Sequence, residues 1–357
     1  MRAAVFHTHG PPEDIHVEEW PEPEPRPGDA VIEVGAASIN GFDPQIVAGT
    51  TGLKTPLPMI PCGDFAGRIV GFGPDTDPAG WKEGDRVCPH PFVPGEGMTG
   101  ETRLGAACER VRMPVANLIR TPDGVSDVEA ASLPIAYGTA HRMLTARGQV
   151  KRGERVLVLG AAGGVGVACV QLAKRLGAEV VATGSAGWKL DALRELGADH
   201  TIDTSREDFV AAVHARFGKP RMTGGGGVDA IVNYIGGDTW ARSLRCLAPR
   251  GRMLTCGASA GFDPKTDLRY IWTYEHTILG SNGWTPEDQA AVLELVAKGE
   301  IRAVIHDVRP LAATGASIRE LALRGVVGKI VITPRSAAEP GAAGGDGRSR
   351  AARSPAR

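Results

Sequence analysis

The stretch RVLVLGAAGGVGVACVQLAK, residues 155–174, joins an apolar run to a glycine cluster and then to a helical period. A continuous run such as RVLVLG fits a strand buried on both faces. Ala161, Ala162, Gly163, Gly164 and Gly166 come next. Val165, Ala168, Cys169, Leu172 and Leu176 then recur at helical spacing, and Gly177 suits the helix end. A strand, a glycine turn and a helix N-terminus in that order make a cradle for a pyrophosphate. Backbone N–H groups and the positive end of the helix dipole face the anion, and a missing Cβ lets it approach. The contacts are expected at Ala162, Gly163, Gly164 and Val165, with Ala161 standing where a GxGxxG pattern has its first glycine.

The end of the next strand selects the dinucleotide. A ribose with a free 2′-hydroxyl asks for an Asp or Glu there. EVVATGSAGWKL (179–190) passes Thr183, Gly184 and Ser185 without an acid. Ser185 can hydrogen-bond a phosphate, and Lys189 follows one turn into the next helix. Arg206, after TID, is a second cation. This pocket suits the 2′-phosphate of NADPH; the alternative for Lys189 is a solvated helix position.

The elements that must position these groups fall into two textures. Up to about residue 125, short β-prone runs such as DAVIEVGAASI (29–39), DFAGRIVGFG (64–73) and GDRVCPH (84–90) are punctuated by Gly and Pro. PEPEPRPGD (21–29) reads as an extended connector. From about Ser126, helical patterns alternate with the apolar runs RVLVLG, EVVAT, DAIVNYIG, RMLTCGA and TILGS, as in a parallel sheet covered by helices on both faces. Thr285 and Pro286 open a further helix. VIHDVRPL and GKIVITP are strand-like and are expected to rejoin the N-terminal β region. Residues 335–357 have no aromatic or large aliphatic residue and are expected to be disordered.

Bulk properties narrow the function classes. A net charge of -1 leaves no basic excess for nucleic acid or a membrane surface. No apolar run is long enough to span a bilayer, and MRAAVFHTHG lacks the apolar core of a signal peptide, so a cytoplasmic protein is expected. The six cysteines (Cys62, Cys88, Cys108, Cys169, Cys246, Cys256) form no CxxC pair and read as reduced core residues.

The chain resembles the medium-chain dehydrogenase/reductase family in its zinc-independent, quinone-oxidoreductase-like branch. The matching segments are AASINGFD (36–43), PCGDFAGRIVGFG (61–73), WKEGDRV (81–87), MPVANLIRTPDGVS (113–126), AASLPIAYGTAHRML (130–144), VLGAAGGVGVACVQLAK (158–174), LGADHTID (196–203) and GKIVITP (328–334). The resemblance implies an α/β chain: a Rossmann doubly wound parallel sheet plus a GroES-like β-rich catalytic domain built from both chain ends. The expected bounds are 1–128 and 283–334 for the catalytic domain and 129–282 for the Rossmann domain, with a tail from 335 to 357. A homodimer or homotetramer, joined edge to edge through the Rossmann sheets, is also implied.

The family's zinc members hold their metal with a Cys near the position of Gly41, a His–Glu pair and a further Cys. The pair reads Gly63-Asp64 here, and LPIAYGTA has no cysteine. No metal site is therefore expected, a chance set of His90, Cys88 and Cys62 being the alternative. Without a Lewis acid, the accessible chemistry is hydride delivery to the β-carbon of a conjugated carbonyl or acyl thioester, or to a quinone. The resemblance places Asn40 in the cleft, near the nicotinamide ribose or a substrate oxygen, with a plain turn residue as the alternative. Asp43 reads as a partner that orients this loop. Thr139 falls beside the nicotinamide. Tyr137 is a candidate proton donor, or else a core tyrosine. Asn233 and Ile235 follow the fourth strand, Cys256, Gly257 and Ala258 the fifth, and Ser281 and Asn282 the sixth; all are expected to contact the cofactor, with Cys256 a wall residue. Lys329 is expected to approach the pyrophosphate. The substrate pocket is expected from residues 44–60, 90–104 and the surroundings of Trp284, and it suits a small hydrophobic conjugated molecule. Two competing readings are an alcohol dehydrogenase acting on an alcohol/carbonyl pair and a non-catalytic NADPH-binding protein.

Overall fold

The computed structural model describes residues 1–334, so the tail expected at 335–357 lies outside the described residues. β1 (Arg2–Val5) and β2 (His16–Glu19) form an antiparallel pair at the start of the chain. β3 (Asp29–Ser38) leads through the short helix α1 (Asp43–Ala48) to β4 (Asp64–Phe72) and β5 (Arg86–Val87). A lobe with β6 (Phe92–Val93) and β7 (Gly97–Met98) precedes β8 (Arg110–Pro114). At 10 residues β3 is long enough to share one edge: β8 pairs with Asp29–Glu33 and the last strand of the described chain with Ala37 and Ser38. β4 runs along the other edge.

Ser126 opens α2 (Asp127–Ala131) with a capping box closed by Glu129. A continuous helical segment follows, in which π-type turns at Pro134–Gly138 and Met143–Arg147 flank α3 (Thr139–Arg142). Strand and helix then alternate: β9 (Arg155–Val158), α4 (Gly164–Arg175), β10 (Glu179–Gly184), α5 (Gly187–Glu195), β11 (His200–Asp203) and α6 (Phe209–Phe217) make the first half. The second half is β12 (Val228–Val232), α7 (Asp238–Leu244), β13 (Leu247–Thr255), α8 (Leu268–Tyr274) and β14 (Thr277–Gly280). All pairings are parallel in the order β11-β10-β9-β12-β13-β14. Val156 and Val158 pack into one helix layer and Leu157 into the other, all three at 0% exposure, which is why this strand reads as an unbroken apolar run. The direction of strand addition reverses between β9 and β12, and a crevice opens there at the carboxyl ends.

α9 (Pro286–Ala297) starts with the Thr285 side chain capping Asp288. β15 (Ile305–Pro310), α10 (Thr314–Ala322) and β16 (Lys329–Thr333) return the chain to the first sheet, whose order is β15-β16-β3-β4-β5. The two chain ends thus share one β-rich domain, and the Rossmann sheet lies between them in sequence.

Candidate active site

Gly160 makes the tight turn after β9. Its φ is 64°, and a Cβ there would fall 2.7 Å from Ile235 Cδ1, so this residue, rather than Ala161, does the work of the first glycine. Gly166 is demanded by packing: a Cβ would lie 2.6 Å from the backbone of Ala161, bringing α4 hard against the turn. Gly164 has a different reason. A Cβ there would meet the Lys329 side chain at 2.9 Å and Ala136 at 3.3 Å. Gly163 precedes α4 in an extended conformation (φ -73°, ψ 169°) and offers no capping side chain, which leaves the N–H groups of Gly164 and Val165 facing the crevice. Ala162 accepts from Gly328 N at 2.8 Å, so the approach to β16 is laced to this loop.

At the end of β10, Ser185 is exposed, whereas Lys189 is buried. The Lys189 ammonium donates to Arg324 O at 2.5 Å and lies 5.3 Å from the centre of the Trp188 ring. Burial, and then the neighbouring Arg324 guanidinium, hold its pKa below the ordinary lysine value. Arg206 is not part of this group: its side chain is 85% exposed and pairs loosely with Asp203 at 3.5 Å. Arg324, about 140 residues beyond the end of β10, is the cation that neighbours Lys189 instead. Its φ of 59° marks a turn that periodicity does not announce.

The far strands divide into wall and scaffold. Asn233 is fully buried; its amide donates to Ser243 Oγ at 3.0 Å and its oxygen accepts from Ile235 N, Gly236 N and Thr239 Oγ1. Its oxygen shapes the turn after β12 and one amide hydrogen ties that turn to α7, so Asn233 has a supporting role in the wall of the crevice. Burial pushes the Cys256 thiol up to about 12, an inert group. Gly257 and Ala258 border a cavity of about 530 Å³ that also meets Trp240 and Phe262. Ser281 is buried with no hydrogen-bond partner for its hydroxyl, whereas Asn282 is exposed. An orphaned hydroxyl at the end of a strand facing the crevice fits a ligand that brings a polar group to it.

On the catalytic-domain side, four buried polar residues interlock. Asn40 Nδ2 donates to Asp64 Oδ2 at 3.1 Å and to Ser38 O at 3.4 Å, while its oxygen accepts from Lys329 Nζ. Both amide hydrogens are engaged, so Asn40 has no N–H left for a ribose or substrate oxygen. Asp43 accepts from Asn40 N at 2.6 Å and from Cys62 N at 3.4 Å. Asp64 also accepts from Ile135 N, at 3.1 and 3.2 Å to its two oxygens, tying the catalytic domain to the helical segment that carries Thr139. Burial raises both carboxyls to about 7 and lowers Lys329. The lysine, 2% exposed, is turned onto Asn40 with Asp64 at 3.8 Å, and its stem lies beside Gly164 of the glycine loop.

Tyr137 is likewise withdrawn from the cleft. Its hydroxyl donates to Arg302 O at 3.0 Å and accepts from Val304 N at 2.9 Å, pinning the segment before β15. Burial raises its pKa, and with 0% exposure it has no path to a substrate. Next to Thr139, Gly138 lies against the Trp284 indole, which a Cβ would approach to 2.6 Å. The indole donates to Gln289 and stands 5.1 Å from the His90 ring. Gly63 faces Thr99 O, Ile135 Cδ1 and Phe42, and Gly41 faces open space. Neither glycine has an atom to offer a metal, and among the described residues no three His, Cys, Asp or Glu side chains converge as ligands. Cys88 donates instead to Ala130 O at 3.3 Å.

The Alcohol dehydrogenase GroES-like domain family matches residues 26–123, and the Zinc-binding dehydrogenase family matches residues 164–298. A 2-haloacrylate reductase from Burkholderia sp is 31% identical, the alignment covering 94% of this chain and all of that one (100%). A quinone oxidoreductase from Pseudomonas aeruginosa is 29% identical over 92% of this chain and 98% of that one. The crystal structure of an NAD-dependent alcohol dehydrogenase superposes with a TM-score of 0.86 at 31% identity, covering 93% of this chain and 99% of that one.

Proposed function

The chain belongs to the medium-chain dehydrogenase/reductase superfamily and is an oxidoreductase of its quinone and enoyl reductase type, and we propose that NADPH is its reductant and a small hydrophobic conjugated molecule its substrate. The observation that carries the choice of acceptor is the pair Gly41 and Gly63, bare positions where a Lewis acid would need ligands. The observation that favours the phosphorylated cofactor is Lys189 beside Arg324 at an acid-free strand end.

Gly164 and Val165 N–H groups would hold the pyrophosphate, Lys189 and Arg324 the 2′-phosphate, and Ser281 and Thr139 the nicotinamide end. The bound cofactor supplies a hydride. In an enone or unsaturated thioester that hydride would go to the β-carbon as the π electrons move to the carbonyl oxygen, and water would supply the proton to the α-carbon. Asn40, held by Lys329 and Asp64, fixes the cleft loop, and the Trp284 indole walls the entrance beside Thr139.

A second copy of the chain is expected along β14, the outermost strand of the Rossmann sheet, where Ile278 is 39% exposed. The six cysteines are free, which suits a reducing cytoplasm, and no helix among the described residues is long and apolar enough to cross a membrane.

The test is a titration of the purified protein with NADPH and NADH, followed by oxidation of NADPH with an enone and with a quinone. Lys189→Ala is expected to weaken NADPH roughly tenfold, the loss of one charge-assisted contact, and to leave NADH within about twofold. Equal loss of both would remove Lys189 from the phosphate site.

A further inference from the structure

The phenol of Tyr234, just past β12, reaches across the crevice to the glycine loop. Its hydroxyl donates to Gly160 O at 2.6 Å and is the atom nearest to the empty Cβ position of Gly163, at 3.5 Å. The backbone N–H of Gly166 is near enough to the same oxygen to act against the rise in the phenol's pKa. Gly166 is the third residue of α4, and its N–H is one of those a helix start leaves without an internal partner. A Ser, Thr, Asp or Asn before the helix ordinarily supplies that acceptor. Here the preceding residue is Gly163, which has none. The hydroxyl comes instead from another strand.

We propose that Tyr234 is a positioning residue of the dinucleotide site, capping α4 from β12 so that the glycine loop is already in its binding shape before the pyrophosphate arrives. This rests on the cofactor reading given above. An aspartate at position 163 would satisfy the same N–H, but it would put a negative charge where the phosphates go. A phenol satisfies it with a neutral group, tethers the Gly160 carbonyl on its donor side, and leaves the Gly164 and Val165 N–H groups to the anion. Burial, with the Cys169 and Cys256 thiols close by, raises the phenol pKa and keeps it a donor at working pH. The side chain is half-buried against the core and replaceable by phenylalanine without a change in volume.

Tyr234→Phe is tested by fluorescence titration of NADPH and NADH and by competition with 2′-AMP, which carries the adenosine phosphate but no pyrophosphate. The expected result is a roughly five- to tenfold rise in Kd for both dinucleotides, the loss of about one net hydrogen bond, with 2′-AMP unchanged. Lys189→Ala provides the opposite pattern, weakening NADPH and 2′-AMP but not NADH. A merely structural role for the phenol would lower Tm and weaken all three ligands together. Dinucleotide affinity unchanged in Tyr234→Phe, or 2′-AMP lost in step with NADPH, overturns the proposal while leaving the cofactor reading intact. Failure of the wild-type protein to bind either dinucleotide overturns both.

Discussion

Asp64→Asn tests the buried network beside the cleft. Asp43, Asp64 and Lys329 are almost entirely withdrawn from solvent, and all three ionised would leave one net negative charge. Such a site takes up a proton, in keeping with carboxyls raised from 3.8 to about 7. A carboxyl whose folded pKa exceeds its unfolded one contributes stability that is complete below the unfolded value and lost as pH rises to the folded one. Here the loss runs from about pH 4 to about pH 7. One proton is worth ~1.4 kcal/mol per pH unit, so the wild-type protein loses ~4 kcal/mol across that window from this source. Asparagine keeps the shape but removes the acid. Asp43 remains, its carboxyl raised first by burial, and the slope loses the part that Asp64 contributes. The new NH2 group also faces donors, Asn40 Nδ2 and Ile135 N, at a cost of ~1–3 kcal/mol. The variant is therefore less stable at pH 5, and the gap narrows by ~3 kcal/mol by pH 8. Urea unfolding of both proteins at pH 5, 6, 7 and 8, with m unchanged, reads this directly, because all other titrating groups cancel in the difference. A gap that stays constant or widens with pH refutes the shared proton.

Three further substitutions test the packing of the site. Gly166→Ala puts a Cβ 2.6 Å from the Ala161 backbone, which has nowhere to move; a loss of ~1–3 kcal/mol in thermal unfolding and weaker dinucleotide binding are expected. Gly163→Ala meets the Tyr234 hydroxyl at 3.5 Å and Gly160 O at 3.6 Å, both ordinary contacts, and should leave the Tm within about 2 °C. Equal damage from both would show that α4 and the turn are not in close contact. Tyr137→Phe orphans Val304 N, while Arg302 O keeps Gln171 Nε2, and should cost ~1–3 kcal/mol of stability while leaving the pH profile of turnover unchanged; a lost alkaline or acid limb would restore it to the chemistry.

The parts of this molecule legible in the sequence are those governed by local pattern. The apolar run 155–159, the glycine cluster and the helical period after it identify β9, the turn and α4, because strand burial and helix period are properties of neighbouring residues. The site residues divide on the same line. Where a position's role depends on what another segment brings to it, type and spacing mislead. Lys329 has the charge to meet a phosphate, but spacing does not announce that its ammonium lies among Asn40, Asp43 and Asp64, all distant in sequence. Asn233 stands at a strand end facing the crevice, yet its oxygen is taken up by the turn after it and its amide is tied to Ser243 on α7. Arg324 and Tyr234 follow no motif, and only the fold brings one beside Lys189 and the other onto Gly160.

The glycine cluster shows why one pattern can be read correctly for the wrong reasons. A run of glycines at a phosphate loop invites the view that each clears space for the ligand. Gly160 instead takes a left-handed turn under Ile235, Gly164 makes way for the stem of Lys329, and Gly166 lets the helix touch the strand. Gly163 alone faces the crevice with room to spare. The last strand is thereby bound to the loop twice, through Lys329 beside Gly164 and through Gly328 N on Ala162 O. The glycine loop, Asn40 and β16 are thus linked by direct contacts across the domain junction, with Asp64 tying them to the helical segment that carries Thr139. A change at the side chains that make those contacts should reach cofactor affinity and catalytic-domain stability together, whereas Gly163→Ala or Lys189→Ala, which break none of them, should reach affinity alone.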